Sequence, residues 1–414
     1  MTEPTLHLPD GAVEIPDSEG TGYWLGPVQL EVRQHRGAAA SLDVVLTNTG
    51  GTETTTAGLL LDWDPDCPVA WLSGSVGFVV APGGTAVWRM LSGWCSDARN
   101  PVSGPAARLF GETVRLAPGQ RVWSRWRQEP VERGAFPLPA WVPERRHLPE
   151  GQEIEVRDLD VALSGTDLTF RTTEEASLVQ GRVGLHQLAV HGPNGVAEVE
   201  VGWYHPMQWI VPSALDRCRD RDIEAWLLAW LLSQPSLGND DAQLDRLDVA
   251  LGASLEEPTL FSVLAALRAA SSTELPLGDD PLQAATRFLA DHPGSDDGAV
   301  VAIAAFLSGG VDPVVELCRE PGGPAWSLLA ADGDGGVAEL LATLEFGLPS
   351  SVPPTYTARD VTLARLWLAS RPESPHHVEL AAVADAAASR LKCALSRRAD
   401  PLAVAWLLVG ESFR

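Results

Sequence analysis

Three aspartates separated by single residues could supply chemistry near the N-terminus. Asp62, Asp64 and Asp66 could present oxygen ligands to calcium or an acid pair to a sugar. An EF-hand loop starting at Asp62 would need glycine at its sixth position and glutamate at its twelfth, where Cys67 and Ser73 stand. We keep the three aspartates as candidates for ligand binding, against the alternative that they are solvated loop residues.

A second candidate group is aromatic and lies where the apolar spacing changes from every second residue to every third or fourth. Trp203, Tyr204, His205 and Trp209 could stack on a sugar or fill a partner's pocket. The alternative is that these side chains pack a β region against a helical one. If they do, we expect Trp203→Ala or Trp209→Ala to lower stability, because truncating a buried aromatic costs about 3 to 5 kcal/mol.

Other polar patterns favour structural roles. His186 and His191 would point to opposite faces of one strand, so they do not predict a zinc site. Asp240-Asp241 resembles the aspartate-rich motif of class I terpene synthases, but such pairs recur ahead of other helical patterns, where helix capping explains them. We therefore predict no metal and no cofactor, and no catalytic residue is assigned.

Charge and composition exclude several classes of function. The 414-residue chain has a net charge of −25, which disfavours binding to nucleic acid or anionic membranes because both are polyanions. Lys392 is the only lysine, so no phosphate-binding loop ending in Gly-Lys-Ser/Thr exists. Five widely spaced cysteines form no disulfide framework, no signal-peptide pattern is present, and the apolar run at residues 298–307 is too short for a bilayer. A cytoplasmic location is expected.

The elements that would position these residues begin with strands. Alternation of apolar and polar residues predicts strands at 28–33 and 154–157, and the turn at residues 47–51 ends another strand. Two segments, 80–88 and 116–123, both contain Ala-Pro-Gly followed by a Val-Trp strand. This pairing resembles immunoglobulin-like sandwich modules. We predict a β-sandwich domain, immunoglobulin-like or larger, at residues 1–135.

A proline-rich stretch and a second β unit follow. Prolines at 137, 139, 143 and 149 disfavour a helix or a central strand, so residues 136–151 are predicted to be a linker. Strands are predicted at 152–157, 167–172, 185–191 and 197–203, with a tight turn at 192–195. Residues 152–205 would form a small β unit or continue the sandwich.

Helices are predicted for residues 206–414. The segment 223–232 is apolar on nearly all sides, which indicates a buried helix. Asp-Pro pairs at 280–281, 312–313 and 400–401 are typical of helix starts, and Thr357 with Asp360 resembles a capping box. About nine to eleven helices without a fixed repeat length predict an irregular solenoid or a partial (α/α) toroid.

The order of these regions leaves two functions open. A β-sandwich followed by helices is similar to carbohydrate-active enzymes that pair a large sandwich with an (α/α) toroid, and the resemblance implies acid–base chemistry by acidic residues in the helix-connecting loops. The helical region is shorter than a full toroid, and no carboxylate pair stands out. We therefore predict a non-catalytic interaction or accessory protein with a protein partner. The alternative is an enzyme acting on a sugar or another small metabolite, with its pocket in the helical domain or at the junction.

Overall fold

The structure is a computed structural model in which a large antiparallel β region is followed by helices, which confirms the predicted order of the two regions. The residues it describes are 3–15, 21–36, 40–98, 104–131, 136–234, 241–254, 257–271, 281–292, 300–301, 334–349 and 353–412.

One antiparallel sheet of twelve strands contains the whole N-terminal region. Its strands are β1 (Thr5–His7), β2 (Val13–Glu14), β3 (Thr21–Leu25), β4 (Val28–His35), β5 (Ser41–Asn48), β6 (Thr54–Asp62), β7 (Ala70–Gly74), β8 (Val76–Val80), β9 (Ala86–Ser92), β10 (Cys95–Asp97), β11 (Ala106–Leu116) and β12 (Arg121–Pro130). Their order across the sheet is β1-β6-β11-β10-β7-β8-β9-β12-β5-β4-β3-β2.

This sheet curls around its own hydrophobic core. Leu61 of β6 and Leu30 of β4 belong to the same buried cluster, although β6 and β4 lie near opposite edges of the sheet. Trp88 and Trp126 fill the middle of that cluster. Strands from both halves of the sheet therefore share one core, which a single continuous sheet surrounds.

The second β unit consists of two small sheets. The four-stranded sheet contains β13 (His147–Pro149), β19 (Gly195–Tyr204), β18 (Gly184–Gly192) and β15 (Ala162–Ser164) in that order, and the three-stranded sheet contains β14 (Ile154–Val156), β17 (Ser177–Gly181) and β16 (Leu168–Thr172). The predicted hairpin is confirmed, because β18 and β19 pair directly up to Gly192 and Gly195. Gly195 has a φ of 118°, which a side chain would disfavour.

One strand lies in the proline-rich stretch. β13 runs parallel to β19, with His147 opposite Gly202 and Pro149 opposite Tyr204. Proline is tolerated here because β13 is an edge strand, where a missing N–H group need not break the ladder. Residues 136–151 are therefore more than a spacer, and they bring polar side chains to the interior of the molecule.

Nine α-helices in the C-terminal region have described bounds. They are α1 (Met207–Leu215), α2 (Arg221–Leu232), α3 (Asp241–Ser254), α4 (Leu260–Ser271), α5 (Pro281–Asp291), α6 (Asp334–Thr343), α7 (Ala358–Ser370), α8 (His377–Arg397) and α9 (Pro401–Ser412). None of these helices is long and apolar enough to cross a membrane.

Helix starts follow the predicted capping chemistry. The Asp400 carboxylate accepts a hydrogen bond from the Ala403 amide at 2.9 Å, and the Asp360 carboxylate accepts one from the Thr357 amide at 2.7 Å. Both interactions satisfy amides that the first turn leaves unpaired. The predicted start at 312–313 lies outside the described residues.

A second hydrophobic core joins the three regions. It includes Trp71 from the outer face of the large sheet, Val201 from β19 and Trp226 from α2, which is buried on nearly all sides as predicted. The Trp71 indole donates to the Glu198 carbonyl at 2.9 Å, and the Trp226 indole donates to the Ala405 carbonyl at 3.0 Å. The junction between the β unit and the helices is thus a packed interface.

Candidate active site at the junction of the β unit and the helices

Four elements bring polar side chains together at this junction. Glu200 lies on β19 between Val199 and Val201, which are buried in the core, so strand alternation turns Glu200 to the opposite face. α8 passes over that face and supplies Arg390. The other contributors are the segment of β13, with Arg146 and His147, and the segment between α6 and α7, with Tyr356. These side chains line one cavity of about 30 Å³, which has room for about one water.

Glu200 and Arg390 form the central ion pair. The Arg390 Nε and Nη2 atoms lie 2.5 and 2.8 Å from the two carboxylate oxygens, a bidentate arrangement that fixes both side chains. Burial alone would raise the pKa of Glu200, but His147 and Arg390 together lower it. Glu200 is therefore held as a carboxylate.

In contrast to the charged Glu200, His147 is a neutral imidazole. Its Nε2 atom lies 3.5 Å from Glu200 Oε1, which is too long for a good hydrogen bond, and it makes none with the other described residues. Burial lowers the pKa of His147, and Arg146 and Arg390 add to that effect, while Glu200 opposes it. The neutral imidazole lines the cavity, and the one of its ring nitrogens that carries no hydrogen can accept a proton.

Arg146 is a second, part-buried cation beside His147. Its Nη2 atom donates a hydrogen bond to the Gly347 carbonyl, and its own carbonyl accepts from the Gly202 amide at 2.9 Å. Burial lowers the pKa of Arg146 to about 10, so the guanidinium remains protonated at neutral pH. The cavity therefore contains a fixed positive charge that Gly347 orients but does not neutralise.

The turn that carries Gly347 is strained. Glu345 and Phe346 both have a φ of 52°, a left-handed conformation that non-glycine residues rarely adopt. The Glu345 carboxylate accepts a hydrogen bond from the Thr355 amide at 3.0 Å, which ties the turn to the segment before Tyr356. Phe346 packs on Phe136, with ring centroids 5.4 Å apart. These contacts hold the strained turn in place.

Tyr356 is the proton donor that lines the smaller cavity. Its side chain is buried, and burial raises its pKa to about 12 against the opposing influence of Arg390. The phenol is therefore protonated across the neutral range and can donate a proton. His147 and Tyr356 have pKa values displaced in opposite directions, a pattern that separates a base from an acid.

A larger cavity of about 540 Å³ adjoins the first and shares Arg146 and His147 with it. Arg145, Arg365 and Lys392 also line it. Arg365 Nη2 lies 2.9 Å from the Asp385 carboxylate, and Lys392 forms an ion pair with Glu411. Among the described residues that line the two cavities, five arginine and lysine side chains outnumber four carboxylates, whereas the whole chain has a net charge of −25. When Glu411 is counted with them the charges balance, and the local feature that suits an anion is Arg146, with which no described carboxylate forms an ion pair.

The aromatic residues named in the sequence analysis occupy different environments. Trp203 is fully buried and donates its indole N–H to the Gln152 carbonyl at 2.7 Å, so it presents no surface to a ligand. Tyr204 lines the larger cavity. His205 lies 3.0 Å from the Glu150 carboxylate and 5.5 Å from the ring of Trp209, which is 66% exposed. The structure brings Tyr204, His205 and Trp209 near the junction and places Trp203 in the core.

The three aspartates lie elsewhere, at the end of β6 and in the loop after it. Asp62 contacts His7 at 2.6 Å, and Asp64 accepts a hydrogen bond from the Asp66 amide at 2.9 Å. None of the three lines either cavity at the junction. Within the described residues, no group of three or more His, Cys, Asp or Glu side chains could hold a metal ion.

Sequence reasoning missed five polar residues that line the smaller cavity, which are Arg146, His147, Glu200, Tyr356 and Arg390. Two of them lie in the predicted linker, and Glu200 has the alternating position of a solvated strand residue. One signal was available, because Arg145-Arg146-His147 is a run of basic residues in a strongly acidic chain. A basic run beside a strand predicts a local anion site better than the dispersed aspartates do.

No known protein family matches this sequence, and no curated protein matches it. The fold is similar to that of a solved polysaccharide lyase, with a TM-score of 0.52 and 12% sequence identity over 95% of this chain and 74% of the lyase chain. This similarity contradicts the prediction of a non-catalytic interaction or accessory protein and supports the alternative, a carbohydrate-active enzyme. At 12% identity the shared property is the fold, so the activity has to be inferred from this chain's own side chains.

Proposed function

We propose that this protein is a carbohydrate-active enzyme that cleaves an acidic polysaccharide by β-elimination at the junction cavity. The observation that carries the proposal is the joint placement of neutral His147, protonated Tyr356 and two part-buried arginines around one cavity. The similarity to a polysaccharide lyase fold supports the same class of substrate.

The carboxylates at this site do not suit hydrolysis. Glycoside hydrolysis generally uses two carboxyl groups, one of which has a raised pKa and acts as the acid. Glu200 instead has a lowered pKa and is bound by Arg390, while the Glu345 carboxylate accepts hydrogen bonds from Thr355. Neither group is placed to donate a proton to a glycosidic oxygen.

Elimination uses the groups that are present. Arg146 pairs with the carboxylate of an acidic sugar and thereby makes the hydrogen on the adjacent carbon more acidic. His147 Nε2 removes that proton, the electron pair left on the carbon forms a C=C bond, and the C–O bond to the next sugar breaks. Tyr356 donates its phenolic proton to the departing oxygen. Proton transfer from His147 to Tyr356 through water then restores both groups.

The adjoining cavity would hold the rest of the polysaccharide chain. It is lined by Arg145, Lys392 and Tyr204, which supply cations and one ring face. Exposed Trp209 and part-exposed His205 would extend this surface, and they remain proposed sugar contacts. The reacting sugar would lie at the boundary between the two cavities, beside Arg146 and His147, which line both of them. The helices would act as a partial (α/α) toroid, while a cytoplasmic location and a protein partner remain predictions from the sequence.

The test is to incubate the protein with soluble acidic polysaccharides and to follow the ultraviolet absorbance of the conjugated C=C bond that elimination creates. Tyr356→Phe and His147→Gln should each lower the rate by about 10² to 10⁴. Tyr23→Phe is the matched control, because Tyr23 lies on β3 in the N-terminal sheet. Cleavage without the ultraviolet product, or a Tyr356→Phe variant as active as Tyr23→Phe, would overturn the mechanism.

A further inference from the structure

A second surface combines tryptophan and arginine on the outer face of the large sheet. Alternate residues of β12 are exposed, namely Arg121, Trp123, Arg125 and Arg127, and we name these four residues the β12 strip. Trp123 is 54% exposed. A single exposed aromatic side chain is ordinary, so Trp123 indicates a contact surface only if other aromatic or charged side chains share its face of the sheet.

Strand pairing extends this surface to a second tryptophan. Arg121 is opposite Thr47 of β5, Thr47 is opposite Gln29 of β4, and Gln29 is opposite Trp24 of β3. Residues directly opposite each other share a face of the sheet, so Trp24 lies on the same face as Trp123. Strand spacing places the two tryptophans about 16 Å apart. Trp24 is also exposed.

The charges on this face favour an anionic ligand. Strands β3, β4, β5, β9 and β12 present five arginines on it and three carboxylates, which are Arg33, Arg89, Arg121, Arg125, Arg127, Glu31, Asp43 and Glu129. Each of the three carboxylates already forms a close ion pair with one of these arginines. Arg121 lies 4.0 Å from Glu31, a carboxylate already paired with Arg33, so a positive surplus remains.

Arg127 is the arginine of the β12 strip whose positive charge is least neutralised by neighbouring carboxylates. It lies directly opposite Arg89 across the β9–β12 ladder, and like charges in that position are destabilising. Arg89 is paired with Glu129 at 2.9 Å, whereas no described carboxylate forms an ion pair with Arg127. A negatively charged ligand at this point would relieve the repulsion.

We propose that the β12 strip, together with Trp24, binds an acidic polysaccharide chain at a site separate from the junction cavity. The tryptophans would stack on sugar rings, and the arginines would pair with the acidic groups between them. The net charge of the whole protein does not prevent this, because salt screens charges beyond about 8 Å. The choice of an anion rests on the arginines, and the choice of a polysaccharide rests on the proposed function.

Affinity electrophoresis in native gels that contain polygalacturonate, alginate or chondroitin sulfate tests this proposal, with dextran as the neutral polymer. We expect at least one acidic polymer to retard the wild-type protein, and Trp123→Ala and Arg127→Gln each to weaken binding by about two- to tenfold. Trp94→Ala removes an exposed tryptophan outside the strip and should bind like the wild type. Added salt should weaken the retardation.

The result that would overturn the proposal is no retardation by any of the three acidic polymers, or equal retardation of the wild type and both strip variants. Retardation by a single-stranded DNA oligonucleotide but by none of these polysaccharides would assign the strip to nucleic acid and reject it as a glycan site. The two proposals fail separately. If the wild type binds through the β12 strip but cleaves no polymer, only the enzymatic function is rejected. If cleavage depends on Tyr356 but both strip variants bind as the wild type does, only the β12 strip site is rejected.

Discussion

Two bidentate arginine–carboxylate pairs show how the same chemical contact serves different purposes in this molecule. Arg390–Glu200 lies at the junction with side chains 16% and 19% exposed, and Arg125–Asp43 lies on the outer face of the large sheet with side chains 57% and 21% exposed. The distances are alike, at 2.5 and 2.8 Å in the first pair and 2.8 and 3.0 Å in the second. Solvent access is therefore the main difference between them.

That difference decides what each pair can do. At the junction, burial is the main cause of the pKa shifts of His147 and Tyr356, and weak screening lets Glu200 and Arg390 act on both groups as well, so the pair is part of the electrostatics of the cavity. On the sheet, water screens Arg125, which stays free to exchange its carboxylate partner for a ligand's acidic group. Tryptophans divide in the same way, because Trp203 is a core residue and Trp123 is a surface residue.

The tryptophan contrast gives the largest expected effect. Trp203→Ala should lower the free energy of unfolding by about 3 to 5 kcal/mol, because it removes a fully buried ring and leaves the Gln152 carbonyl without its donor. Trp123→Ala and Trp209→Ala should change it by no more than about 0.5 kcal/mol, since both rings are more than half exposed. Urea unfolding measures all three. An equal loss for Trp203→Ala and Trp209→Ala would restore the packing role that the sequence predicted for both.

The ion-pair contrast comes next. Glu200→Gln leaves the Arg390 guanidinium buried without its countercharge and should lower the free energy of unfolding by about 3 to 5 kcal/mol. Asp43→Asn is the matched control, and it should leave the urea midpoint unchanged because its arginine partner is solvated. Equal midpoints for the two variants would mean that the junction is wetter than the structure indicates.

These contrasts also explain how much the sequence could predict. Periodicity predicted the β-to-helix order, the hairpin at 192–195 and the buried helix α2, because each depends on local spacing that burial then reinforces. Capping at Thr357 and Asp400 was predictable for the same reason, since the bonds join residues three apart.

The site was not predictable in that way, because its members are distant in the sequence. Glu200 and Arg390 are separated by 190 positions, and Arg146 meets Gly347 across 201. The local pattern marks Glu200 as an ordinary solvent-facing strand residue, and the packing of α8 against β19 is what covers most of its side chain. Proline density led to the linker prediction for 136–151, because it reports backbone restriction and not where a side chain such as His147 ends up.

A pair of neighbouring glycines tests how the large sheet supports the site. A Cβ atom at Gly84 would lie 2.6 Å from the Phe346 ring, whereas one at Gly83 would meet nothing within 4 Å, although both glycines have a left-handed φ. Gly84→Ala should therefore cost about 1 to 3 kcal/mol more than Gly83→Ala in urea unfolding. It should also lower activity, since Phe346 precedes the carbonyl that orients Arg146. Identical stability for the two variants would mean that Phe346 can move away without cost.

The smallest effect concerns the pH dependence of stability at His147. Its lowered pKa means that the unfolded chain binds a proton at a higher pH than the folded protein does. The stability that the neutral imidazole contributes is thus fully present above the unfolded pKa of about 6.5 and is lost as the pH falls from there through the folded value.

His147→Gln removes this titration, so its urea midpoint should fall less than that of the wild type between about pH 7 and about pH 5. His191→Gln, on β18 where the ring contacts Ser164 at 2.8 Å, should keep the wild-type pH dependence. If His147→Gln instead followed the wild-type curve while His191→Gln flattened it, the imidazole at the junction would not be the buried neutral base that the proposed elimination requires.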